Sequence, residues 1–219
     1  MKADIVYNVD CLDFMKDVPE DYFDLIITDP PYGLDIHSKN ASRGKLASAK
    51  DYGKCEWDAE IPTAKHFTEM VRVSKNQVIF GGNYMTDFLH PSSCWIVWDK
   101  DNNDNDFADC ELAWTSFKGA VRKFKYRWNG MLQENMRLKE RRYHPTQKPV
   151  ALGRWITERF GTPEMIVFDP FAGSGSFLLA AKQKGLRFVG CELEPEYCDI
   201  INERLKQTQL VEFEEKMLL

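Results

Sequence analysis

The feature that most constrains the fold is a pair of short segments that are apolar at almost every position and end at an aspartate. They are LIIT, residues 25–28, followed by Asp29, and MIVF, residues 165–168, followed by Asp169. A strand with one face in water alternates apolar and polar residues, whereas a strand covered on both faces is apolar throughout. Coverage on both faces is typical of a largely parallel sheet between helices, so the sequence predicts an α/β fold.

Further apolar runs alternate with helical stretches along the chain. The predicted strands are Ile5–Val9, Leu25–Thr28, Gln77–Phe80, Cys94–Trp98, Glu111–Thr115, Met165–Phe168 and Phe188–Cys191. The predicted helices span roughly residues 11–18, 62–73, 84–89, 149–160, 175–184 and 195–207. Residues 33–60 and 100–143 look irregular, and we interpret the second stretch as an insertion over the sheet edge.

The composition is that of an ordinary globular domain. The 219 residues are 43% hydrophobic and 29% charged, so we expect one domain over residues 1–219. No apolar run approaches a membrane span, and the N-terminus carries acids where a signal peptide would be apolar, so we expect a soluble cytoplasmic protein. The six cysteines form no CxxC pair, and we expect no metal site.

Charge is distributed unevenly around a net value of −5. Residues 118–142 hold nine Lys or Arg against two Glu, and residues 39–54 hold five against one Asp. A charge run is usually a solvated face, but two basic segments on an acidic protein also fit a localised polyanion site. Charge alone leaves both interpretations open.

A rigid element follows the first apolar strand. Its residues are Asp29, Pro30, Pro31 and Tyr32. Proline lacks a backbone N–H and fixes its own φ, so this segment cannot continue a strand.

A glycine turn follows the second apolar strand, in FDPFAGSGS, residues 168–176. Glycines there allow a sharp turn and a close ligand approach, and the next helix offers free N–H groups. The dinucleotide pattern GxGxxG is absent because position 178 is leucine, and the Walker pattern is absent too. About twenty residues after the turn, a strand ends at Glu192, where an acid can accept both hydroxyls of a ribose.

Together these motifs resemble those of the β-class S-adenosylmethionine-dependent amino-methyltransferases of DNA. DPPY resembles the catalytic motif, FDPFAGSGS the cofactor motif and CELEPEY the ribose-binding motif. HPTQKP, residues 144–149, resembles the segment before the cofactor motif, and NVDCLDFM, residues 8–15, resembles the N-terminal motif. The permuted order, with the catalytic motif first, is that of this class, and the resemblance covers nearly the whole chain.

The resemblance implies a chemistry for the catalytic motif. The exocyclic amine of a base is a poor nucleophile because its lone pair is delocalised into the ring. Asp29 would accept one N–H of the amine and the carbonyl of Pro30 the other, both more strongly as positive charge grows on nitrogen. Pro31 would keep that carbonyl rigid, and Tyr32 would stack on the base. Asp29 would also take the departing proton, directly or through water.

The resemblance also implies a cofactor site for S-adenosyl-L-methionine. Asp10 would lie near the adenine amine, although the family commonly has a glycine before this acid and this chain has valine. Capping of the helix that starts near Cys11 is the other interpretation of Asp10. The remaining predicted residues are Asp29; Thr146 and Lys148 near the methionine carboxylate; Asp169 near the methionine amine; Phe171, Gly173, Ser174 and Gly175 in the turn; and Glu192 and Leu193 at the ribose and adenine.

Double-stranded DNA is the partner that the resemblance implies, with the target base flipped out of the duplex. We expect residues 100–143 to form the target-recognition segment. Its predicted DNA-binding residues are Lys118, Arg122, Lys123, Lys125, Arg127, Trp128, Arg137, Arg141 and Arg142, with Phe124 or Tyr126 as alternatives to Trp128 in the vacated stack.

The implied fold is Rossmann-like, with a seven-stranded, mostly parallel sheet and one antiparallel edge strand. Aspartate before PPY favours adenine N6 as the target, as in restriction–modification enzymes of this type. Cytosine N4 and RNA adenine stay open as targets, and so does an inactive partner subunit. A protein glutamine is disfavoured, because the enzymes that methylate it have asparagine where this chain has Asp29 and place the cofactor motif first. Nothing in the sequence decides whether the chain forms a homodimer.

Overall fold

The architecture was obtained from a computed structural model, which describes residues 2–33, 61–102, 108–129, 132–144 and 146–217. The segment 33–60, predicted to be irregular, therefore lies almost wholly outside the described residues. The strands are β1 Ile5–Asn8, β2 Leu25–Thr28, β3 Gln77–Phe80, β4 Ile96–Asp99, β5 Cys110–Thr115, β6 Arg122–Lys125, β7 Trp128–Asn129, β8 Leu132–Gln133, β9 Ile166–Asp169 and β10 Arg187–Glu192. The helices are α1 Cys11–Lys16, α2 Ala64–Val73, α3 Val150–Phe160, α4 Ser176–Gln183 and α5 Pro195–Met217.

In the described part of the chain, eight strands form one sheet in the order β1-β10-β9-β2-β3-β5-β4-β6. All neighbouring pairs are parallel except the two that β5 makes, with β3 and β4. A small antiparallel hairpin joins β7 to β8. The carboxyl ends of the parallel strands therefore share one edge of the sheet, and the start of β5 lies at that same edge.

Helices cover both faces of this sheet, as the apolar strands predicted. Leu25 and Ile27 of β2 belong to the core layer with α3, α4 and α5, while Ile26 belongs to the layer with α1 and α2. Because successive strand residues point to opposite faces, a strand buried on both sides must be apolar throughout. All four residues of β2 are buried.

The α/β class with a mostly parallel sheet and one antiparallel strand is confirmed, but two details of the prediction are wrong. The sheet has eight strands rather than seven, and the antiparallel strand lies inside the sheet instead of at its edge. β6 was missed because Arg122–Lys125 carries three cations among its four residues, which hides the pattern of a strand. The helix predicted over residues 84–89 is only a 3-10 turn at Gly82–Tyr84.

The structure also corrects the idea that residues 100–143 form an insertion as a whole. β5 and β6 belong to the main sheet, and β5 lies between two of its strands. Of the described residues in this stretch, those outside the sheet form the connections that flank β5 and β6, the β7–β8 pair and the chain that leads from it to α3.

None of the helices in the described ranges combines the length and apolar character needed to cross a bilayer. The same residues contain no group of three or more His, Cys, Asp or Glu arranged to hold a metal ion.

Candidate active site

A pocket of about 260 Å³ lies at the carboxyl ends of β1, β2, β9 and β10. All five of the predicted motifs contribute residues to it, although they are far apart in sequence. They meet because β2 pairs with β9, β9 with β10 and β10 with β1. The predicted site residues that line it are Asp10, Asp29, Pro31, Thr146, Lys148, Asp169, Phe171, Gly173, Ser174, Glu192 and Leu193.

Asp29 accepts hydrogen bonds from two side chains at the pocket wall. Its Oδ2 accepts a hydrogen bond of 2.5 Å from Lys148 Nζ, and its Oδ1 accepts one of 2.5 Å from the Tyr32 hydroxyl. Burial raises the pKa of Asp29 above its ordinary value, while the Lys148 cation opposes that rise. An ionised carboxylate has about four acceptor sites, so acceptor capacity remains beside these two donors.

Tyr32 is fixed in place by its neighbours. Its ring stacks on Tyr84 with centroids 5.2 Å apart, and its hydroxyl bonds Asp29. Gly81 has φ +68°, and a Cβ at this glycine would collide with the Tyr32 ring. Burial, followed by the Asp29 charge, raises the pKa of Tyr32, so the phenol stays protonated.

The glycine turn leaves open space in the pocket. Gly173 has φ +53°, and nothing lies within 4 Å of where its Cβ would be. Gly175 has φ +77°, and a Cβ there would meet Ile201. Of the predicted turn residues, Gly175 is therefore a packing residue that lies behind the pocket wall.

Asp169 is buried and accepts two hydrogen bonds at Oδ1, one of 2.7 Å from the Thr28 hydroxyl and one of 3.1 Å from the Phe171 N–H. Burial raises the pKa of Asp169 to about 7, against the opposing effect of these two donors. Because this pKa lies near neutral pH, a cation placed beside Asp169 strongly increases the ionised fraction of its carboxyl group.

Glu192 and Asp10 both hold backbone N–H groups. Glu192 accepts from Gly173 over 2.7 Å and from Glu194 over 2.9 Å, so it joins the glycine turn to the end of β10. Asp10 accepts from Leu12 over 2.8 Å and is the N-cap of α1, which is the alternative that the sequence left open. Asp10 also lines the pocket, so capping and ligand contact are compatible.

The chain between β8 and α3 is tied to the pocket wall through Glu140. This carboxylate accepts hydrogen bonds from Gln147 Nε2 at 2.9 Å, the Val150 N–H at 3.1 Å and Arg204 Nη2 at 2.9 Å. Arg204, which is buried, also donates to the Ser174 carbonyl in the glycine turn. One carboxylate and one guanidinium thus join the segment with Thr146 and Lys148 to the glycine turn.

Several predicted DNA-binding residues have protein partners. Lys123 pairs with Asp99 at 2.8 Å, and both Lys125 and Arg127 pair with Asp101. These lysines stay more than half exposed, because their ion pairs lie on the outer face of the edge strand β6.

The aromatic residues predicted to fill the vacated base stack are packed into the protein instead. Trp128 is 7% exposed and donates its indole N–H to the Gln147 carbonyl over 2.9 Å. Phe124 packs on Trp155 of α3, with ring centroids 5.4 Å apart, and on Tyr126. Trp128 belongs to the core, and Phe124 and Tyr126 pack against that core while staying partly exposed.

The remaining basic residues lie elsewhere. Arg137 and Arg141, with Lys118, are exposed. Arg137 belongs to a turn in which Asn135 Oδ1 accepts from the Arg137 and Leu138 N–H groups. Gln147 Nε2 donates to the Arg141 carbonyl over 3.1 Å, so this exposed basic segment joins the pocket wall directly.

Sequence reasoning missed three residues at or beside the pocket. His66 and Tyr197 line it, and Glu111 contacts Lys148 from β5. His66 accepts a hydrogen bond from the Thr63 N–H, so it also caps α2. His66 and Glu111 belong to no motif, and only the topology brings them to the carboxyl ends of the strands. Tyr197 is the last residue of CELEPEY, so its place near Glu192 could have been read from the sequence.

Comparison with known proteins relates the chain to one family. A model of the DNA methylase family, N6_N4_Mtase, matches residues 90–203. The Type II methyltransferase M.HinfI of Haemophilus influenzae is 25% identical over 248 aligned residues, covering 90% of this chain and 67% of that protein. YubD of Escherichia coli (strain K12) is 47% identical over 68 residues, which is 31% of this chain and only 30% of YubD.

Solved structures show the same fold. The M1.HpyAVI–SAM complex has a TM-score of 0.58 at 25% identity and covers 91% of this chain and 98% of that one. The cytosine-N4-specific PvuII DNA methyltransferase has a TM-score of 0.57 at 18% identity, covering 91% and 85% of the two chains, a likeness of fold alone.

Proposed function

Because the chain belongs to the N6/N4 DNA methylase family, we propose that it transfers a methyl group from S-adenosylmethionine to the N6 amine of an adenine flipped out of duplex DNA. The observation that carries this proposal is the position of Asp29. Its carboxylate lies in the wall of the pocket that also contains the glycine turn, Asp169 and Glu192. An acceptor for an amine and a cradle for the cofactor therefore share one space.

The residues of the pocket fit the cofactor that this family uses. Bound there, S-adenosylmethionine supplies an electrophilic methyl group. The space above Gly173, which any side chain would occupy, allows a ligand to approach the backbone. Asp169 would hold the methionine ammonium, because a carboxylate with a raised pKa gains most from a cation beside it. Glu192 would hold the ribose, with Leu193 and Asp10 toward the adenine.

Asp29 would act on the target amine. It accepts an amine N–H and thereby favours the form of the amine whose lone pair is localised on nitrogen. As the nitrogen becomes cationic, the attraction to Asp29 grows, which lowers the barrier more than it stabilises the ground state. The carbonyl of Pro30 is the proposed acceptor for the second N–H, and Asp29 or a water beside it takes the proton that leaves.

Adenine is favoured over cytosine because aspartate, rather than serine, precedes Pro30-Pro31-Tyr32. The amines of both bases pose the same chemical problem, so the chemistry of the pocket serves either. An inactive partner subunit is the less favoured alternative, because both the acceptor and the cofactor pocket are intact.

Duplex DNA would approach along the exposed basic segment that contains Arg137 and Arg141. This segment is joined to the pocket wall through Gln147. Phosphate contacts from arginine there would position the duplex without reading its sequence. Lys123 and Lys125 would contribute less, since each already pairs with an aspartate.

The test is transfer of a labelled methyl group to unmethylated genomic DNA, with RNA as a parallel substrate and Asp29→Asn as the control. Digestion to nucleosides and identification by mass should give N6-methyladenine from DNA. N4-methylcytosine would overturn the choice of base. No product on either polymer, with cofactor binding intact, would contradict the proposed activity and favour the partner-subunit alternative.

A further inference from the structure

A carboxylate that does not line the pocket is linked to Asp29 through one shared lysine. Glu111 Oε2 lies 3.0 Å from Lys148 Nζ, and the same ammonium lies 2.5 Å from Asp29 Oδ2. Through its other oxygen, Glu111 pairs with Lys100. Four groups of alternating charge, Lys100, Glu111, Lys148 and Asp29, thus run along the edge of the sheet.

The direction of β5 explains how Glu111 reaches this edge. Because β5 runs against its neighbours, its first residues lie beside the carboxyl ends of the other strands. β3 separates β5 from β2, so the two strands are about 10 Å apart at the usual strand spacing. Glu111 is therefore too distant for direct contact with Asp29, and Lys148 bridges the gap.

Poor hydration makes these charges interact strongly. The side chains of Lys148, Asp29 and Glu111 are 6%, 16% and 21% exposed. Burial lowers the pKa of Lys148, but Asp29 and Glu111 together raise it above its ordinary value, so Lys148 stays a cation. Burial is the main cause of the raised pKa of Asp29, and the Glu111 charge adds to it.

We propose that Glu111 is a positioning residue for methyl transfer, which holds Lys148 between two carboxylates and so keeps Asp29 a strong acceptor of the amine protons. This inference rests on the proposed function. If Glu111 lost its charge, Lys148 would pair with Asp29 alone, and the pair would compete with the incoming amine. Glu111 therefore acts through Lys148, without touching the substrate.

The proton balance of the reaction is simple. The amine nitrogen forms a bond to the methyl carbon as the carbon–sulfur bond breaks, and the electron pair of that bond stays on sulfur. The nitrogen then loses one proton to Asp29 or to a water beside it, and on to solvent. Lys148 stays protonated and Glu111 stays ionised throughout.

Several groups lie near Asp29, and their effects on a pH profile must be distinguished from its own ionisation. They are Lys148 and Tyr32, which bond it, Asp169 across the pocket, and Glu111, which acts at longer range, while Tyr84 acts on Tyr32. Tyr32 stays neutral over the working range because its pKa is raised. Saturating cofactor removes the contribution of Asp169, since a bound ammonium keeps that carboxylate ionised.

The experiment compares wild type with Glu111→Gln, which removes the charge and keeps the shape. Glu158→Gln is the matched control, because it removes the ion pair with Lys184 far from the pocket. The pH dependence of kcat is measured at saturating cofactor and DNA, together with the Kd for S-adenosylmethionine. A ¹³C NMR titration of the Asp29 carboxyl, assigned with Asp29→Asn, gives a readout that needs no catalysis.

For Glu111→Gln we expect kcat to fall about 10- to 100-fold and the acid limb of the profile and the Asp29 titration to move to lower pH. The Kd for the cofactor should change less than about twofold, since Glu111 does not line the pocket. If Glu111→Gln does not fold, Glu111→Asp, which keeps the charge but shortens the reach, should give an intermediate shift.

An Asp29 titration that coincides with that of wild type in whichever variant folds would overturn the inference, even if kcat fell. If the Asp29 titration shifts in Glu111→Gln but the wild-type protein methylates no DNA, the proposed function is contradicted. The coupling of Glu111 to Asp29 is then still established.

Discussion

Arg204, which is buried, and Glu140, which is partly buried, form an ion pair with Nη2 and Oε1 2.9 Å apart, and this pair joins α5 to the chain before α3. Arg204 also donates to the Ser174 carbonyl in the glycine turn. Burial raises the pKa of Glu140, while Arg204 opposes that rise. The pair therefore holds together two parts of the pocket that are far apart in sequence.

Replacing Arg204 with Met should destabilise the protein by up to about 3 kcal/mol, because the partly buried Glu140 loses its cation and keeps only the Gln147 and Val150 donors. The affinity for S-adenosylmethionine should fall as well, since the Ser174 carbonyl loses its donor. Urea denaturation and calorimetric titration measure the two effects. The double variant Arg204→Met with Glu140→Gln should recover part of the lost stability. If it were as unstable as the sum of the single variants, the pair would not be coupled.

Asp29→Asn should lower methyl transfer by about 10²–10⁴-fold, because a neutral amide accepts the amine proton poorly. The affinity for the cofactor should stay within a few-fold of wild type. Single-turnover transfer at saturating cofactor and an independent binding titration separate the two. Asp24→Asn, which removes a carboxylate that pairs with Lys75 outside the pocket, is the control. Equal losses of binding and transfer would show that Asp29 serves the cofactor rather than the amine.

Cofactor binding should weaken as pH falls through about 7, because protonation of Asp169 removes the charge that attracts the methionine ammonium. Between pH 8 and pH 6 the ionised fraction of a carboxyl with this pKa falls about tenfold, and Kd should rise by a similar factor. Asp169→Asn should bind weakly at both values, so any pH dependence that it keeps belongs to the ligand. A flat wild-type profile would contradict this role.

Asp169→Asn should also stabilise the ligand-free protein at pH 8. Because burial raises the pKa of Asp169 from 3.8 to about 7, ionisation in the folded state costs free energy that the unfolded chain does not bear. The free energy of unfolding therefore decreases as pH rises from about 4 through 7. At pH 8 the cost is on the order of 4 kcal/mol at most, and Asp169→Asn removes it. Denaturation at pH 5 and pH 8 should show the gain growing with pH.

Arg137→Ala and Arg141→Ala should each reduce the salt dependence of DNA binding, by about one unit in the slope of log K against log salt. Lys123→Ala and Lys125→Ala should reduce it less, because Asp99 and Asp101 already neutralise these lysines. Binding of one duplex across a salt series measures all four variants. A larger effect from the lysines would place the DNA on the β6 edge instead.

Sequence predicted the site better than it predicted the outer half of the sheet. Asp29, Asp169 and Glu192 each follow an apolar strand, and parallel strands bring their carboxyl ends together, so their convergence could be expected. β6 could not be expected, because an edge strand with its cations in solvent has too few apolar residues to show a pattern.

Other features depend on contacts that sequence does not display. Glu111 reaches Lys148 only because β5 runs antiparallel inside the sheet. Trp128 was predicted to contact DNA because it lies in a basic stretch of the sequence. In the structure its indole is buried and donates to the Gln147 carbonyl. Charge along a segment indicates its exposed side chains and says little about the aromatic residues between them.

The pairing of β2 with β9 has a consequence for how the protein is made. Leu25 lies opposite Val167, about 140 residues later in the chain. Contacts between such distant segments form slowly, because a long loop must close first. During synthesis β2 and its neighbour β3 therefore emerge from the ribosome long before β9, and β2 lacks one of its two partner strands until then. We expect the nascent chain to need protection from aggregation until residues near 190 have emerged.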